Sequence, residues 1–318
     1  MMAGSDPQRA AVVFNPTKKT AEDLRALTTK LCLQEGWAEP LWLETTVDDH
    51  GQGMAKQALA EGVDLVMAAG GDGTVRCVSE VLAGTDTPLG LLPLGTGNLL
   101  ARNLDIGIND PQAAVLDALN GTERRIDVVH INVDHAQDSH VFLVMAGLGF
   151  DAAVMGDTRD DLKDKVGWLA YVDAGIRNLP GKPARTRISI DGRKPFYRRV
   201  RSVMGGNCGK IVGGLEIFPG ARLDDGLLEI MTVAPTGKLG WLAVIAGLIR
   251  RGKGSDPSIE YFQCKSAEIQ ALVPQEIEID GDPLGKGTHL SLRVQPRSLR
   301  IRMPYGRKDP AILSQTMP

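Results

Sequence analysis

The strongest constraint on the fold is an alternation of buried strands and helices over about the first 120 residues. Four short apolar runs are separated by longer segments in which apolar residues recur at helical spacing. The predicted strands are 10–14, 41–44, 63–69 and 88–92, and the predicted helices are 21–33, 54–61, 75–83 and 111–119. Because parallel strands need long crossover connections, this order predicts an open parallel α/β sheet.

After about Ile126 the pattern changes to short strands separated by turns. The predicted strands are 126–133, 141–146, 185–190, 198–204, 227–233, 276–280 and 289–293, with helices only at 168–176 and 238–250. This pattern is typical of an antiparallel β-sandwich. We therefore expect an α/β plus β protein with two domains and a boundary near residue 126.

Composition excludes several classes of protein. A formal net charge of -3 and 4% aromatic residues argue against a nucleic-acid partner. The four cysteines form no C-x-x-C pair, which argues against a disulfide framework or a structural zinc site. The N-terminus lacks the pattern of a signal peptide, and the longest apolar stretch, Leu239–Ile249, is about half the roughly 20 residues that span a bilayer. We expect a cytoplasmic protein.

The most informative motif is the glycine loop Gly70-Gly71-Asp72-Gly73-Thr74, which leaves a predicted strand and opens a predicted helix. Free N–H groups at a helix start and the helix dipole favour phosphate. An acidic residue in such a loop would repel phosphate, so we interpret Asp72 as a partner of Mg²⁺ or of a hydroxyl donor. The alternative is a tight turn that is glycine-rich by chance.

A second glycine loop, Leu94-Gly95-Thr96-Gly97-Asn98, follows the next predicted strand, and Asn15-Pro16-Thr17 follows the first one. The carboxyl ends of parallel strands share one edge, which is where open α/β sheets bind ligands. A dinucleotide fingerprint of the form G-x-G-x-x-A begins at Gly147 but does not open a βαβ unit. We interpret it as a glycine turn facing a cleft between the domains, and a dinucleotide oxidoreductase is a distant alternative.

Two further motifs carry paired carboxylates. Asp280-Gly281-Asp282 ends a predicted strand and could direct both carboxylates into one cleft, or it could form a type I′ hairpin turn. Asp224-Asp225-Gly226 reads as a turn before the predicted strand 227–233. A kinase that acts on an alcohol needs a carboxylate to orient the hydroxyl and accept its proton. We predict Asp282 for this role and Asp280 as the second candidate.

Taken in order, these motifs resemble the diacylglycerol kinase catalytic-domain family, and within it the soluble bacterial lipid kinases, whose superfamily includes sphingosine and NAD kinases. The resemblance covers nearly the whole chain. Its motifs are Asn15-Pro16, Gly70-Gly71-Asp72-Gly73-Thr74, Gly95-Thr96-Gly97-Asn98, Ala146-Gly147-Leu148-Gly149-Phe150-Asp151, Gly206-Asn207, Leu223-Asp224-Asp225-Gly226 and Asp280-Gly281-Asp282.

The resemblance implies an ATP site in a cleft between the two domains. It implies a nucleotide-binding α/β domain of residues 1–126 joined by a returning segment, 300–318, and a β-sandwich substrate and metal domain of residues 127–299. The ATP contacts carry over to Asn15, Thr45 or Thr46, Gly70, Gly71, Asp72, Gly73, Thr74, Val75, Gly95, Thr96 and Asn98.

The resemblance also implies a structural Mg²⁺. Its ligands carry over to the Asp225 carboxylate and the backbone carbonyls of Arg222 and Leu227, and Asp127 matches a carboxylate that supports the ion indirectly. The family usually has Glu where this chain has Asp282, so the proposed base is one methylene shorter.

The chain has Leu99 where many members have Asp after the second glycine loop, which predicts a less polar acceptor site. We expect an ATP- and Mg²⁺-dependent lipid kinase with a diacylglycerol-like acceptor. Sphingoid bases, monoacylglycerol, ceramide or a polyprenol stay open as acceptors. The rivals are a kinase of a soluble acceptor such as NAD, whose acceptor motifs are not found, and a nucleotide-binding regulatory protein without turnover.

A lipid acceptor has to be collected from a membrane surface, so we expect peripheral, transient contact with the inner face of the membrane. The candidate surface is a basic run that contains a single acid and is equally well explained as the solvated face of two strands. Its cations are Lys182, Arg185, Arg187, Arg193, Lys194, Arg198, Arg199 and Arg201. The sequence does not identify an interface for a homodimer, so it leaves open whether the protein is a homodimer.

Overall fold

The computed structural model describes residues 6–17, 21–137, 139–149, 183–211, 216–236, 240, 244 and 258–304. The chain divides into two compact units. The first runs to Val128 and includes the chain again from Pro296, and the second is Val129–Gln295. No helix among these residues has the length and apolar character needed to cross a membrane.

The first unit contains a parallel sheet with strand order β2-β1-β3-β4, joined at its β4 edge by a late segment of the chain that pairs Ile301 with Leu89. Its strands are β1 (Ala10–Phe14), β2 (Leu41–Glu44), β3 (Leu65–Gly70) and β4 (Leu89–Pro93). Its helices are α1 (Ala21–Gln34), α2 (Gln52–Ala60), α3 (Asp72–Leu82), α4 (Leu99–Asn103) and α5 (Pro111–Asn120). The predicted parallel α/β domain is confirmed.

Burial explains why the central strands read as continuous apolar runs. Every residue of β1 and of β3 is buried, as expected for parallel strands covered on both faces. Helix α5 begins where the sequence supplies a cap: the Asp110 side chain accepts a hydrogen bond from Ala113 N at 3.0 Å, and Pro111 occupies the first turn.

The second unit is built from antiparallel strands, and β5 and β14 extend from it into the first unit. The strands are β5 (Thr122–Val133), β6 (His140–Phe142), β7 (Met145–Leu148), β8 (Ala184–Ile190), β9 (Phe196–Val200), β10 (Ser202–Gly206), β11 (Leu228–Val233), β12 (Ile259–Cys264), β13 (Ser266–Ile279) and β14 (Asp282–Met303). The long strand β13 pairs with β8 through its first half, with β7 through its second half, and with β14. The predicted antiparallel β-sandwich domain is confirmed.

The structure corrects several predicted boundaries. The predicted strand 141–146 is two strands, β6 and β7, and 198–204 spans the end of β9 and most of β10. The predicted strands 276–280 and 289–293 are parts of the much longer β13 and β14, and Gly147 lies inside strand β7 and not in a turn. Strand β12 and helix α4 were not predicted. The predicted helix 168–176 and most of 238–250 lie outside the described residues.

The segment Leu143–Met145, which leads from β6 into the first residue of β7, is held by two polar residues that directly follow other strands. The buried Asp280 carboxylate accepts hydrogen bonds from the N–H groups of Leu143, Val144 and Met145, each at 2.9 Å. Asn207 donates its side-chain amide to Leu143 O at 3.0 Å, and its backbone N–H to Val144 O at 2.8 Å. Two of the motifs singled out in the sequence therefore converge on the same three residues.

We expect Asp280→Asn to lower the free energy of unfolding by about 2 kcal/mol, because an amide replaces one of the carboxylate oxygens that accept buried N–H groups. Asp280 has a positive φ of 49°, which Asn tolerates better than Ala does, so Asp280→Ala should cost about 1 kcal/mol more. Urea titration followed by circular dichroism gives both values, and hydrogen exchange of the Leu143–Met145 amides should speed up. Asp48→Asn, at an exposed position, is the control, and equal stability of all variants would contradict the anchoring role.

Candidate active site

Four parallel strands bring the predicted nucleotide-binding segments to one edge of the first unit. The ends of β1, β2, β3 and β4 are aligned, since Phe14 pairs with both Glu44 and Ala69, and Gly70 pairs with Pro93. The segments that follow these strands therefore start side by side. This carboxyl edge carries all of the predicted segments, namely Asn15, Thr45 and Thr46, and the two glycine loops.

The first glycine loop leads directly into α3, three residues earlier than the sequence pattern predicted. Gly71 is the N-cap residue and has no side chain to cap the helix. The first intrahelical bond runs from Val75 N to Gly71 O at 3.1 Å. The N–H groups of Gly73 and Thr74 therefore lie ahead of the hydrogen-bonded ladder, at the positive end of the helix dipole.

The two glycine loops pack backbone against backbone. A Cβ atom added to Gly95 would lie 2.6 Å from Gly71 Cα and 2.9 Å from Asn98 Oδ1. Leu94 N also donates to Gly70 O at 2.9 Å. Only glycine at position 95 allows this approach, so the glycines here serve the contact between the two loops as well as access for a ligand.

Asp72 joins the two loops through a bond that the sequence did not indicate. Its Oδ1 accepts a hydrogen bond from Leu99 N at 2.6 Å, over a separation of 27 residues. The Leu99 side chain is only 3% exposed, so this residue contributes its N–H to the loop contact while its side chain packs inward. Asp72 therefore has a hydrogen-bond partner within the protein, the Leu99 N–H, in addition to the Mg²⁺ or hydroxyl donor expected from the sequence.

The second glycine loop closes on itself. Asn98, in the left-handed region with φ of 47°, accepts from Gly95 N at 3.0 Å and donates to Gly95 O at 2.6 Å. Arg102 of α4 donates from Nε to Gly97 O at 2.7 Å. Sequence reasoning missed this arginine, and its only signal is its position one helical turn after Asn98. Thr96, at the tip of the loop, is exposed.

The remaining predicted nucleotide contacts lie in turns at the same edge. Asn15 Oδ1 accepts from Thr17 N at 3.0 Å and from Thr17 Oγ1 at 2.7 Å, which closes the turn after β1. Thr45 is buried and donates its N–H to Phe14 O at 2.9 Å. Thr46 is exposed, and its Oγ1 accepts from Asp49 N at 3.0 Å. Of the two threonines, Thr46 has the hydroxyl at the surface.

The second unit holds the two predicted catalytic carboxylates. Ile279 pairs with Asp282 across a two-residue turn in which Asp280 has φ of 49° and Gly281 has φ of 91°, which is the type I′ hairpin considered in the sequence. The Asp280 carboxylate is turned toward Leu143–Met145, whereas Asp282 begins β14 and is half-buried. The turn therefore commits the Asp280 carboxylate to a backbone contact within the second unit.

The predicted metal loop lies in the same unit, immediately before β11. Asp225 Oδ1 accepts from Leu227 N at 3.0 Å, and Gly226 has φ of 72°, so the motif does form the turn that its composition predicts. Burial raises the pKa of the Asp225 carboxyl, and the Asp224 charge raises it further, while the Leu227 N–H and Arg222 lower it. Arg222 Nε lies 4.0 Å from Asp224 Oδ1.

This loop has the donor chemistry that Mg²⁺ prefers, namely carboxylate and carbonyl oxygens. A bound cation would offset the electrostatic cost that raises the pKa of Asp225. The donors would be one carboxylate and backbone oxygens, because the described part of the chain contains no group of three or more His, Cys, Asp or Glu side chains that could hold a metal. Asp127 belongs to the first unit, is fully buried, and accepts from Arg297 N at 2.6 Å.

Comparison with known families matches both units. Residues 9–131 match the family described as "Diacylglycerol kinase catalytic domain". Residues 144–303 match the family described as "YegS C-terminal NAD kinase beta sandwich-like domain". The two matches follow one another along the chain and together span nearly all of its described part.

Curated relatives and solved structures agree with these matches. A Pseudomonas fluorescens protein named "Probable lipid kinase YegS-like" is 31% identical over 300 residues, which cover 93% of this chain and 96% of the relative. A Pseudomonas aeruginosa protein of the same name is 30% identical over 308 residues, covering 95% and 96%. The crystal structure of a diacylglycerol kinase from Bacillus anthracis has the same fold, with a TM-score of 0.69 at 20% identity, and covers 95% of this chain and 99% of that one. The chain therefore belongs to the diacylglycerol kinase catalytic-domain family, within its group of YegS-like probable lipid kinases.

Proposed function

We propose that the protein transfers the γ-phosphoryl group of ATP to the hydroxyl of a lipid, with a diacylglycerol-like acceptor. The observation that carries the proposal is the contact between the two glycine loops at the carboxyl edge of a parallel sheet. The first of these loops begins α3, and its N–H groups precede the first intrahelical hydrogen bond. This arrangement suits the phosphates of a nucleotide. Membership in a family of probable lipid kinases supports the acceptor class.

In this reaction the first glycine loop and the start of α3 bind and orient the phosphates. The N–H groups of Gly73 and Thr74 donate to phosphate oxygens, and the exposed hydroxyls of Thr46 and Thr96 supply further donors at the same edge. The Asp72–Leu99 bond fixes the spacing of the two loops, so their donors are in position before the nucleotide arrives.

The acceptor hydroxyl attacks the γ-phosphorus, the bond from this phosphorus to the β–γ bridging oxygen breaks, and ADP leaves. We assign Asp282 to accept the hydroxyl proton. The structure supports Asp282 over Asp280, because the Asp280 carboxylate already accepts three backbone N–H groups. Both the attacking oxygen and its proton are thus accounted for.

Mg²⁺ in the Arg222–Leu227 loop would bind the Asp225 carboxylate and the carbonyl oxygens of Arg222 and Leu227, where it supplies positive charge that stabilises the loop. The Asp225 carboxylate and the adjacent Asp224 create the local negative charge that attracts it.

The transfer itself is tested with γ-labelled ATP and lipids in mixed micelles, with diacylglycerol, monoacylglycerol, ceramide and sphingosine offered in parallel. We expect Asp282→Asn to reduce labelling about a hundredfold or more, because the general base is lost. Asp282→Glu keeps a carboxylate and restores the residue usual in the family, so it should retain activity. Undiminished labelling by Asp282→Asn would remove Asp282 as the base, and no labelled lipid with the wild type would overturn the proposed function.

Gly95→Ala should weaken ATP binding about tenfold or more. The new methyl group would lie 2.6 Å from Gly71 Cα, so the two loops have to separate and their donors lose register. Gly107→Ala is the matched control, since its methyl would meet only Asp110 Cβ, at 3.8 Å. Calorimetric titration with a non-hydrolysable ATP analogue measures both, and wild-type affinity in Gly95→Ala would show that the loop contact is dispensable.

Stabilisation by Mg²⁺ should grow as pH rises. The raised pKa of Asp225 means that the folded chain holds this proton more tightly, so its contribution to stability is present at low pH and is lost as pH rises from the ordinary value of 3.8 through the raised value. Mg²⁺ binds only the deprotonated carboxylate. At ten times its dissociation constant the ion should add about 1.4 kcal/mol near neutral pH, and much less at acid pH.

Thermal unfolding with and without Mg²⁺ across this pH range measures the gain. Asp225→Asn should abolish it, whereas the exposed control Asp48→Asn should keep it. A Mg²⁺ gain that is the same in Asp225→Asn as in the wild type would place the ion elsewhere.

A further inference from the structure

Three arginines and a tyrosine share one face of the β8–β9 hairpin. Arg185 lies opposite Arg199, and Arg187 lies opposite Tyr197. Residues directly opposite in an antiparallel pair point to the same side, and side chains two positions apart on a strand do so as well. The Arg185 guanidinium lies 4.5 Å from the centre of the Tyr197 ring, which confirms that they share a side. We call Arg185, Arg187, Tyr197 and Arg199 the arginine face.

The arginine face points away from the core. The alternate residues of the hairpin point the other way, where Ile188 and Val200 belong to the hydrophobic core and Phe196 packs against it. On β13, next to β8, the residues on the side of the core are buried, and Gln270, on the side of the arginine face, is exposed. Strand β9 pairs only with β8 among the described strands, so the face reaches the sheet edge.

Lys182 of the basic run lies outside the described residues, and the other four cations have different surroundings. Arg198 points to the opposite side of β9 and binds Glu260 at 2.6 Å, and Arg201 donates from Nε to Pro235 O at 3.2 Å. Arg193 and Lys194 are exposed in the hairpin turn. Within the described ranges, none of the three arginines of the face forms an ion pair. The run that reads as uniform in the sequence is therefore divided by strand alternation.

Charge on this face is unbalanced. The acid on the same side of β13, Glu268, is already bound by His289 Nε2 at 2.8 Å and by Ser291 Oγ at 2.8 Å. The chain as a whole carries a net charge of -3, so attraction to an anionic partner has to come from a local concentration of cations such as this one.

Large apolar side chains are exposed beside the arginines. Tyr197 is 52% exposed, and Leu272, which directly follows the β8-paired part of β13, is 72% exposed. Arginines that form no ion pair with a described residue, next to an exposed aromatic ring and an exposed leucine, are the combination that suits the interface of an anionic bilayer, where charges meet headgroups and apolar groups enter the acyl boundary.

We propose that the arginine face, with Leu272, is the surface by which this protein docks on anionic phospholipid. This inference deepens the proposed function and rests on it, because a lipid acceptor has to be collected from a membrane. It identifies the docking surface by residue. Charge complementarity decides the occupant: the three arginines form no ion pair with any residue that the structure describes, which favours an anionic partner, and the exposed Tyr197 and Leu272 favour a lipid surface over a polar one.

Flotation of the full chain with vesicles tests the surface without reference to catalysis. The vesicles contain phosphatidylglycerol and phosphatidylcholine in equal parts, or phosphatidylcholine alone. We expect binding to the anionic vesicles only, weakened as salt rises well above about 0.1 M, where the Debye length is roughly 10 Å. The triple variant Arg185→Gln, Arg187→Gln, Arg199→Gln should bind roughly a hundredfold more weakly, about fivefold for each arginine.

Two matched variants control for net charge and for folding. Lys30→Gln, Lys56→Gln and Lys265→Gln together remove the same charge from exposed positions outside the face and should keep vesicle binding. Replacing the three arginines by Lys keeps the charge and should keep binding within about threefold. Leu272→Ser is not a control: by itself it should weaken binding to anionic vesicles relative to the wild type, and the salt dependence of binding should stay the same.

The outcomes separate this inference from the proposed function. Transfer to lipid in neutral detergent micelles does not need an anionic surface, so the triple Gln variant should keep it. Loss of vesicle binding with retained micellar transfer supports the docking surface. Equal vesicle binding by the triple Gln variant and the wild type, or equal binding to neutral and anionic vesicles, overturns it. Absence of micellar transfer in the wild type overturns the proposed function alone.

Discussion

The contact between the two glycine loops is the constraint on which the candidate site depends. Its origin is the sheet register: β3 and β4 are parallel neighbours with Gly70 opposite Pro93, so the loops that follow them leave the sheet at the same level. At that distance position 95 has no room for a side chain, and the backbones of Gly71 and Gly95 meet directly. The Asp72–Leu99 bond then fixes the loops in this position. A phosphate site made of backbone N–H groups requires such rigidity, because backbone donors cannot adjust as side chains do.

Aspartates in tight turns recur in the second unit, which explains why its carboxylate motifs were hard to interpret from the sequence. Asp134, Asp191 and Asp280 all have a φ near 50° and all accept backbone N–H groups from a neighbouring segment. The bond from Thr288 N is the main reason that the pKa of Asp134 is below its ordinary value. An aspartate in a tight turn can therefore anchor a strand end, and a sequence motif alone does not separate this role from catalysis. For Asp280 the three N–H partners show the anchoring role directly, which is why the proposed base is Asp282.

Much of the fold follows from the sequence because buried parallel strands leave a strong signal. β1 and β2 have the predicted ends, and the other elements of the first 120 residues shift by at most a few residues. The start of α3 was missed because glycines are poor helix formers, and α4 because five residues are too few to show periodicity. β13 and β14 were predicted only in part, since bulges and glycines interrupt their alternation. Within the site, the shared edge was predictable, but the partner of Asp72 was not, because a backbone donor carries no signature in the sequence.

Strand alternation also decides what a basic run can do. In the sequence, the cations between residues 182 and 201 form one continuous cluster, and a solvated pair of strands explains them as well as a membrane surface does. Pairing of β8 with β9 divides this cluster: Arg198 is bound to Glu260 on one side, while Arg185, Arg187 and Arg199 gather on the other. The candidate nucleotide edge belongs to the first unit and the arginine face to the second. On the proposed assignments the two tasks use separate sets of residues, so we expect substitution on β8 and β9 to change affinity for a lipid surface while the glycine loops and their donors stay as they are.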